Sequence, residues 1–322
     1  MEKIFKGIEI VGHQRIIQFL QKSIANDKLS HAYLFYGPEH IGKTAVAEYF
    51  VARLLCSKKT ACGECLNCRQ LLKQVHPDIY RVNDCPIGID CLRRIISSLN
   101  FKPFFAPYKI AIIEQADNLT IQAANAFLKL LEQAPPKIII ILIAKSFYHL
   151  PATLRSRCQI LRFCLPKRGE IIDFLKDKFA LSKDKVLNII DFALGRPGLA
   201  IEFAKDSDKL VQYRKIVHTF ITLLSVQDFE YRFKLINAIS DLGFSTLTNL
   251  LILLRNLILI NLDGQEISFG FDREKLKGLL KIYSKDKLIQ MCYQVLKTQF
   301  WLFSSNVNKR LAVENLLIQL SN

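Results

Sequence analysis

The sequence has few of the residues that mark low-complexity chains, and it has no long apolar run. Its 322 residues include only 13 Gly and 10 Pro, which excludes collagen-like and Gly/Pro-rich architectures. Half of the residues are hydrophobic, which excludes an intrinsically disordered chain. The apolar run at 138–144 has seven residues, and the Leu-rich stretch near the C-terminus is interrupted by Arg255. Because a membrane-spanning helix needs about 20 apolar residues, we expect a globular protein without membrane spans.

A secretory signal is also missing from the sequence, because Met1–Ile10 carries four charged residues. We therefore expect a cytoplasmic protein. Acidic residues are scarce: 29 Asp and Glu stand against 45 Lys and Arg, a net charge of +16 that suggests a polyanionic partner. The segment Lys145–Arg168 has six basic residues and no acidic one. Such a run is either a solvated surface or a contact for phosphates.

The hydrophobic pattern predicts an α/β region followed by helices. Short, continuously apolar strands alternate with helices up to about residue 165, which indicates a parallel sheet with helices on both faces. Beyond Pro166 the apolar residues follow helical spacing, with two strongly apolar helices at 247–262 and 287–303. The pattern changes again near residue 203. We therefore expect three units, at 1–165, 166–203 and 204–322.

Residues Gly37–Thr44 match the phosphate-binding pattern G-x-x-x-x-G-K-[ST] at every position. A predicted strand precedes the motif and a predicted helix follows it. Gly37 and Gly42 would let backbone N–H groups surround a phosphate, Lys43 would reach it, and Thr44 would offer a hydroxyl to Mg²⁺. The motif therefore predicts an ATP/Mg²⁺ site.

Hydrolysis at such a site also needs acidic residues at the end of a neighbouring strand. The predicted strand at 109–113 ends in Glu114, which could serve Mg²⁺, but Gln115 follows it. Glutamine cannot act as a carboxylate base, so we expect nucleotide binding with weak or absent hydrolysis. We therefore assign no enzymatic activity to this chain alone.

Nine cysteines occur, and four of them lie within thirteen residues as C-x5-C-x2-C-x2-C: Cys56, Cys62, Cys65 and Cys68. In a chain without secretory signals, such clustering predicts a metal site. Four thiolates complete the tetrahedral shell of a structural Zn²⁺, and no coordination position stays open for catalysis. An iron–sulfur cluster is the alternative, although the fourth cysteine of the usual ferredoxin spacing is missing.

Several motifs in this order resemble the bacterial clamp-loader AAA+ subunits. They are Ile10–Gln14, Leu29–Phe35, the P-loop, the four-cysteine module, His76–Asp78, Asn125–Glu132 before Pro135-Pro136, and Leu154–Gln159 with its S-R-C sequence. The motifs cover about residues 8–203, and the layout covers the whole length. Within this family the chain is similar to the delta-prime subunits of DNA polymerase III, because the gamma/tau ATPase subunits carry Asp-Glu where this chain has Glu114-Gln115. They also carry an arginine in the second sensor motif, which here falls at Gly198, with Arg196 nearby.

The resemblance implies a RecA-like AAA+ domain at 1–165 bearing the zinc module (56–68), a helical lid at 166–203, and a helical collar at 204–322. It also implies a hetero-pentamer with gamma/tau and delta subunits that loads the sliding clamp on primer–template DNA. Arg157 would be an arginine finger for the neighbouring ATPase site, since a planar guanidinium suits phosphate. A gamma/tau-type ATPase is the alternative, and a DNA-binding module outside clamp loading is another.

Overall fold

The computed structural model describes residues 8–82, 87–133, 135–148, 150–226, 228, 230–231, 234, 244–263, 273–304 and 308–321. These residues form two compact units, one within Met1–Ala180 and Gly195–Ile201 and the other within Leu181–Leu194 and Glu202–Asn322. The division at residues 165 and 203 that the sequence suggests stays a prediction. Cys85 lies outside the described residues.

The first unit is built on a five-stranded, wholly parallel sheet with the order β2-β3-β4-β1-β5. Its strands are β1 (Ala32–Tyr36), β2 (Ile79–Val82), β3 (Lys109–Ile113), β4 (Ile138–Ala144) and β5 (Gln159–Arg162). The central strand β1 pairs with β4 on one side, Tyr36 beside Ala144, and with β5 on the other, Tyr36 beside Arg162. The predicted strand at 109–113 is β3, and the apolar run at 138–144 is β4.

Helices cover both faces of the sheet, as the apolar pattern predicts. They are α1 (Gln14–Ala25), α2 (Lys43–Leu55), α3 (Leu66–Leu72), α4 (Ile89–Leu99), α5 (Ile121–Glu132), α6 (Ala152–Arg155) and α7 (Arg168–Phe179). Because strand side chains alternate between faces, Tyr33 and Phe35 join the core beneath α1–α3, whereas Ala32 and Leu34 join the core beneath α4–α6. Every residue of β4 is buried, which explains its unbroken apolar sequence.

The second unit is helical. It comprises α8 (Lys183–Ala193), the end of α9 (Pro197–Lys205) from Glu202 onward, α10 (Ser207–Ser225), α11 (Phe244–Asp263), α12 (Arg273–Ile282), α13 (Lys285–Ser304) and α14 (Lys309–Ser321). Leu250, Leu254 and Leu257 of α11 are buried against Leu288 and Val295 of α13 and other apolar side chains of this unit. The apolar stretches predicted as helices lie inside α11 and α13. Among the described residues, every helix is too short or too polar to cross a membrane.

Candidate functional site

The P-loop connects the carboxyl end of β1 to the amino end of α2. Residues 37–42 form the turn, and α2 begins at Lys43 with its free N–H groups directed toward the loop. A cavity of about 340 Å³ opens here, lined by residues of the loop, of the β3 end and of the β4 end: Glu39, His40, Gly42, Lys43, Thr44, Ala45, Glu114, Gln115, Ile143, Ala144, Lys145 and Gly198. The loop thus presents a helix N-terminus to a cavity, which is the arrangement that binds anions.

Two glycines of the motif are required by the backbone. Gly37 has φ +148°, and a Cβ there would lie 2.4 Å from the carbonyl oxygen of Phe163, which follows β5. Gly42 has φ +100°, a conformation that side chains disfavour. The glycines of the pattern therefore hold the loop close to the sheet and turn it into α2.

The Lys43 ammonium folds back onto its own loop. Nζ donates hydrogen bonds to the carbonyl oxygens of Gly37 (2.7 Å) and Pro38 (2.5 Å). Burial lowers the pKa of Lys43 from its ordinary 10.5 to about 8, against the opposing charges of Glu39 and Asp117. A buried ammonium that is held only by neutral carbonyl groups is suited to pairing with an anion that enters the cavity.

Carboxylates face this lysine from the end of β3. Burial raises the pKa of Glu114, which lines the cavity. Asp117, in the short 3₁₀ turn at Ala116–Asn118, accepts a hydrogen bond from the Lys145 N–H through Oδ1 (2.9 Å). Its Oδ2 is buried and has no hydrogen-bond partner among the described residues. An orphaned carboxylate oxygen near a P-loop fits a hard cation such as Mg²⁺, so the donor set here is compatible with ATP/Mg²⁺.

The start of α9 closes one side of the loop. The Gly198 N–H donates to the His40 carbonyl at 2.7 Å, and a Cβ at Gly198 would lie equally close, 2.7 Å from the same oxygen. The charge of Arg196 lowers the pKa of both Glu39 and Lys43, behind larger contributions from other groups. A glycine at 198 is therefore needed for the backbone contact, while the nearby guanidinium charge comes from Arg196.

His13 supports the loop from beneath. Its Nε2 donates to the Ile41 carbonyl at 2.6 Å, and its ring packs on Phe163 at 4.8 Å between centroids. Burial lowers the pKa of His13, although the Ile41 hydrogen bond and the charge of Glu170 oppose that shift. The ring thus acts as a fixed support for the P-loop.

The four clustered cysteines converge. Cys56 follows α2, Cys65 precedes α3 and Cys68 lies within α3. One ligand atom from each of the four, Cys62 included, lies within 4.8 Å of the others, and the sulfurs of Cys56 and Cys62 are 3.6 Å apart. Tetrahedral zinc with Zn–S bonds of about 2.3 Å requires sulfurs about 3.8 Å apart, so the cluster can hold a metal ion of this kind.

The surroundings act differently on these thiols. Burial would raise the pKa of Cys65, but hydrogen bonds outweigh it and lower that pKa, whereas burial raises the pKa of the Cys68 thiol. Burial alone would raise the pKa of Cys56, but hydrogen bonds from the backbone of Cys62, Thr60 and Lys58 outweigh it and lower that pKa to about 6. Around the cluster, the Asn67 side-chain amide donates to the Leu55 carbonyl at 2.6 Å. Thiolates are the form that binds metal, so the hydrogen bonds favour the ligand state at Cys56 and Cys65, while burial opposes it at Cys68.

Arg157 and the P-loop lie at opposite ends of the strands of the sheet. It precedes the amino end of β5, whereas Gly37 follows the carboxyl end of β1, and the two strands are parallel neighbours. The four residues of β5 span about 13 Å. The guanidinium is exposed, and its Nη2 contacts Glu132 Oε1 at 2.7 Å. Its position keeps Arg157 away from the P-loop of its own chain.

The predicted site residues therefore fall into three places. Gly37, Gly42, Lys43, Thr44 and Glu114 belong to the P-loop site, the four cysteines form a second cluster, and Arg157 stands alone at the far edge. Sequence reasoning missed two supporting groups of the P-loop site. Asp117 follows Glu114 by three residues, a spacing that could have drawn attention to it. The hydrogen bond from His13 spans 28 residues and has no local signal.

The strand order, the P-loop after the central strand and the helices on both faces define an α/β AAA+ fold. Residues 12–166 match the family model described as "DNA polymerase III, delta subunit". Among curated relatives, DNA polymerase III subunit tau of Bacillus subtilis is 35% identical over 48% of this chain and 28% of its own length. Subunit delta' of Pseudomonas aeruginosa is 34% identical over 45% of this chain and 47% of its own length.

A longer match is subunit gamma of Buchnera aphidicola subsp. Schizaphis graminum, 25% identical over 97% of this chain and 94% of its own length. Among solved structures, a DNA polymerase III gamma subunit-related protein of Thermotoga maritima covers 95% of this chain and 98% of its own, with 18% identity and a TM-score of 0.45. The chain spans less than half the length of the two relatives with the highest identity cited here. The family-model match and the curated relatives confirm the resemblance of the chain to the bacterial clamp-loader AAA+ family.

Proposed function

We propose that this chain is a delta-prime-type subunit of the DNA polymerase III clamp loader, which helps to load the sliding clamp onto primed DNA. The observation that carries the proposal is the position of Arg157. Its guanidinium is accessible and lies at the end of the strands opposite its own P-loop, so it would serve the site of another subunit. Arg157 would be the arginine finger of the adjacent gamma ATPase subunit, where a planar cation stabilises charge that develops during phosphoryl transfer.

The chain's own P-loop site supports nucleotide binding more than hydrolysis. Lys43, Thr44 and the N–H groups at the start of α2 would hold the phosphates of ATP, and Glu114 and Asp117 offer carboxylates for Mg²⁺. Bound ATP would supply an activated phosphoanhydride. Gln115 stands where a carboxylate is needed to activate water, so this subunit would turn over slowly or not at all.

The four-cysteine module would hold a structural Zn²⁺. Its thiols surround a space of tetrahedral size, and Cys56, Ala61, Cys68 and Leu71 belong to the same core as the sheet. A metal there would fasten the segment between α2 and α3 to the AAA+ domain. The helical residues 204–322 would form the collar that joins the other subunits of a five-membered ring.

The test is a reconstituted clamp loader in which only the adjacent ATPase subunit keeps its P-loop lysine. Replacing Arg157 with Ala should slow ATP hydrolysis at that site by at least about a hundredfold, since trans arginines contribute 10³ or more. The matched control Arg155→Ala removes another arginine of the same segment and should change the rate little. If hydrolysis in the Arg157→Ala complex proceeds at the wild-type rate, the finger assignment is wrong.

A gamma/tau-type ATPase is the second candidate, and one observation favours it. The charge of Arg196 acts on Lys43 and Glu39, so the cavity has a guanidinium nearby even though Gly198 occupies the expected position. An ATPase assay of the purified chain distinguishes the two. DNA-stimulated turnover that disappears in Lys43→Ala would establish the second candidate, whereas turnover at background level supports the first.

A further inference from the structure

The guanidinium of Arg157 is held by three hydrogen bonds within its own chain. Nη1 donates to the Thr153 carbonyl oxygen (2.8 Å) and to Ser156 Oγ (3.2 Å), and Nη2 donates to Glu132 Oε1 (2.7 Å). The first two acceptors belong to the segment that carries Arg157 itself. Glu132 comes from another element, the last residue of α5, which is 25 residues away in the chain.

We propose that Glu132 is a positioning residue that fixes the orientation of the Arg157 guanidinium toward a neighbouring subunit's phosphates. The inference rests on the proposed function, because it needs Arg157 to act on a neighbour. Thr153 and Ser156 both bind the same nitrogen, so they restrain one arm of the planar group. Among the described residues, Glu132 is the only acceptor that restrains the other arm.

The number of donors supports this role. An arginine side chain has five N–H donors, and three are used inside the chain. Two donors therefore remain for an outside acceptor, which is the number that a bidentate contact with a phosphate requires. The pair is also exposed, since the side chains of Arg157 and Glu132 keep 36% and 50% of their accessible surface. The guanidinium is thus oriented and still accessible.

The backbone around Glu132 is well suited to hold a cation. Glu132 ends α5, where the helix dipole is negative, so the helix end and the carboxylate both attract the guanidinium. Leu130 and Leu131 beside it are buried in the core of the first unit, so the end of α5 is anchored to the sheet. An ordered arginine loses less rotamer entropy when it binds, and this benefit appears at the step in which the finger acts.

The experiment uses the reconstituted clamp loader in which only the adjacent ATPase subunit keeps its P-loop lysine. Glu132→Ala should lower kcat of that site about fivefold, the size expected for an exposed ion pair, and leave KM for ATP unchanged. Glu132→Gln keeps an acceptor oxygen and should recover most of the rate. Glu230→Ala, which removes a different exposed ion pair with Lys234, is the matched control and should match the wild type.

The double variant Glu132→Ala/Arg157→Ala separates positioning from folding. If Glu132 acts through Arg157, the double variant is no slower than Arg157→Ala alone. A further fivefold loss in the double variant would show that Glu132 acts through the fold, and an unchanged or faster Glu132→Ala complex would show that it positions nothing. Both results overturn the inference while the finger assignment stands. A wild-type rate for Arg157→Ala overturns the proposed function and this inference together.

Discussion

Replacing the buried Lys43 with Met should remove a pH dependence of stability that the wild type shows above neutral pH. Lys43 is 8% exposed, and its ammonium donates hydrogen bonds to two carbonyl oxygens of its own loop. Its pKa lies near 8 in the folded chain against 10.5 in the ordinary lysine. Between these two values the unfolded chain binds more protons than the folded chain. The free energy of unfolding therefore rises with pH through this window, and it falls as pH drops toward 8.

The magnitude follows from the two pKa values. Between pH 7.5 and pH 9.5 the contribution of Lys43 to the free energy of unfolding should rise by about 2 kcal/mol. Urea unfolding of the wild type and of Lys43→Met at both pH values measures it, because other titrating groups cancel in the difference between the two proteins. Lys22→Met, which replaces an exposed lysine of α1, is the control and should behave as the wild type does. The reasoning fails if the wild type and Lys43→Met change by the same amount.

Further predictions concern the metal cluster, a buried carboxylate and the contact between α9 and the P-loop. Cys62→Ser should lose the bound metal, measured by atomic emission, and should melt at a lower temperature than the wild type. Cys292→Ser is the control and should keep the wild-type metal content and melting temperature. An equal metal content in the two variants would exclude the four-cysteine site. Asp78→Ala should cost about 3 kcal/mol of unfolding free energy in urea titration, because this fully buried carboxylate accepts hydrogen bonds from three consecutive backbone N–H groups at 104–106. Gly198→Ala should weaken binding of a fluorescent ATP analogue, since its Cβ would displace the His40 carbonyl; unchanged affinity would mean that the loop absorbs the shift.

Local sequence signals were enough to predict the sheet. Each strand is a short apolar run, and the fully buried β4 is the clearest because both of its faces are covered. The helix at Leu66–Leu72 was missed, since two of its neighbouring cysteines and a Gly-containing turn dominate that stretch and hide its apolar spacing. Its stability comes from Cys68 and Leu71, which pack into the core of the sheet.

The candidate site was predictable where its residues are close in the chain. The P-loop and the cysteine cluster depend on short spacing, so the motifs identify them. The contacts of His13 with Ile41, of Gly198 with His40 and of Arg157 with Glu132 connect distant segments. Such contacts depend on how parallel strands bring loops together, so composition and periodicity do not predict them.

The P-loop and Arg157 lie at opposite ends of the strands, so the two ends of this domain differ chemically. A domain with a cavity at one end of its strands and a guanidinium at the other has two unlike ends, and related domains that join one end to the other make head-to-tail contacts. Such heterologous contacts close into rings or continue as helices, and they never form a symmetric pair. In an open ring of this kind the two ends differ: one end presents an unused cavity and the other an unused arginine. On the proposed function, Arg157 is the finger and Gln115 replaces a water-activating carboxylate in the cavity. Such a chain is matched to one end only, which would fix the order of subunits around the gap.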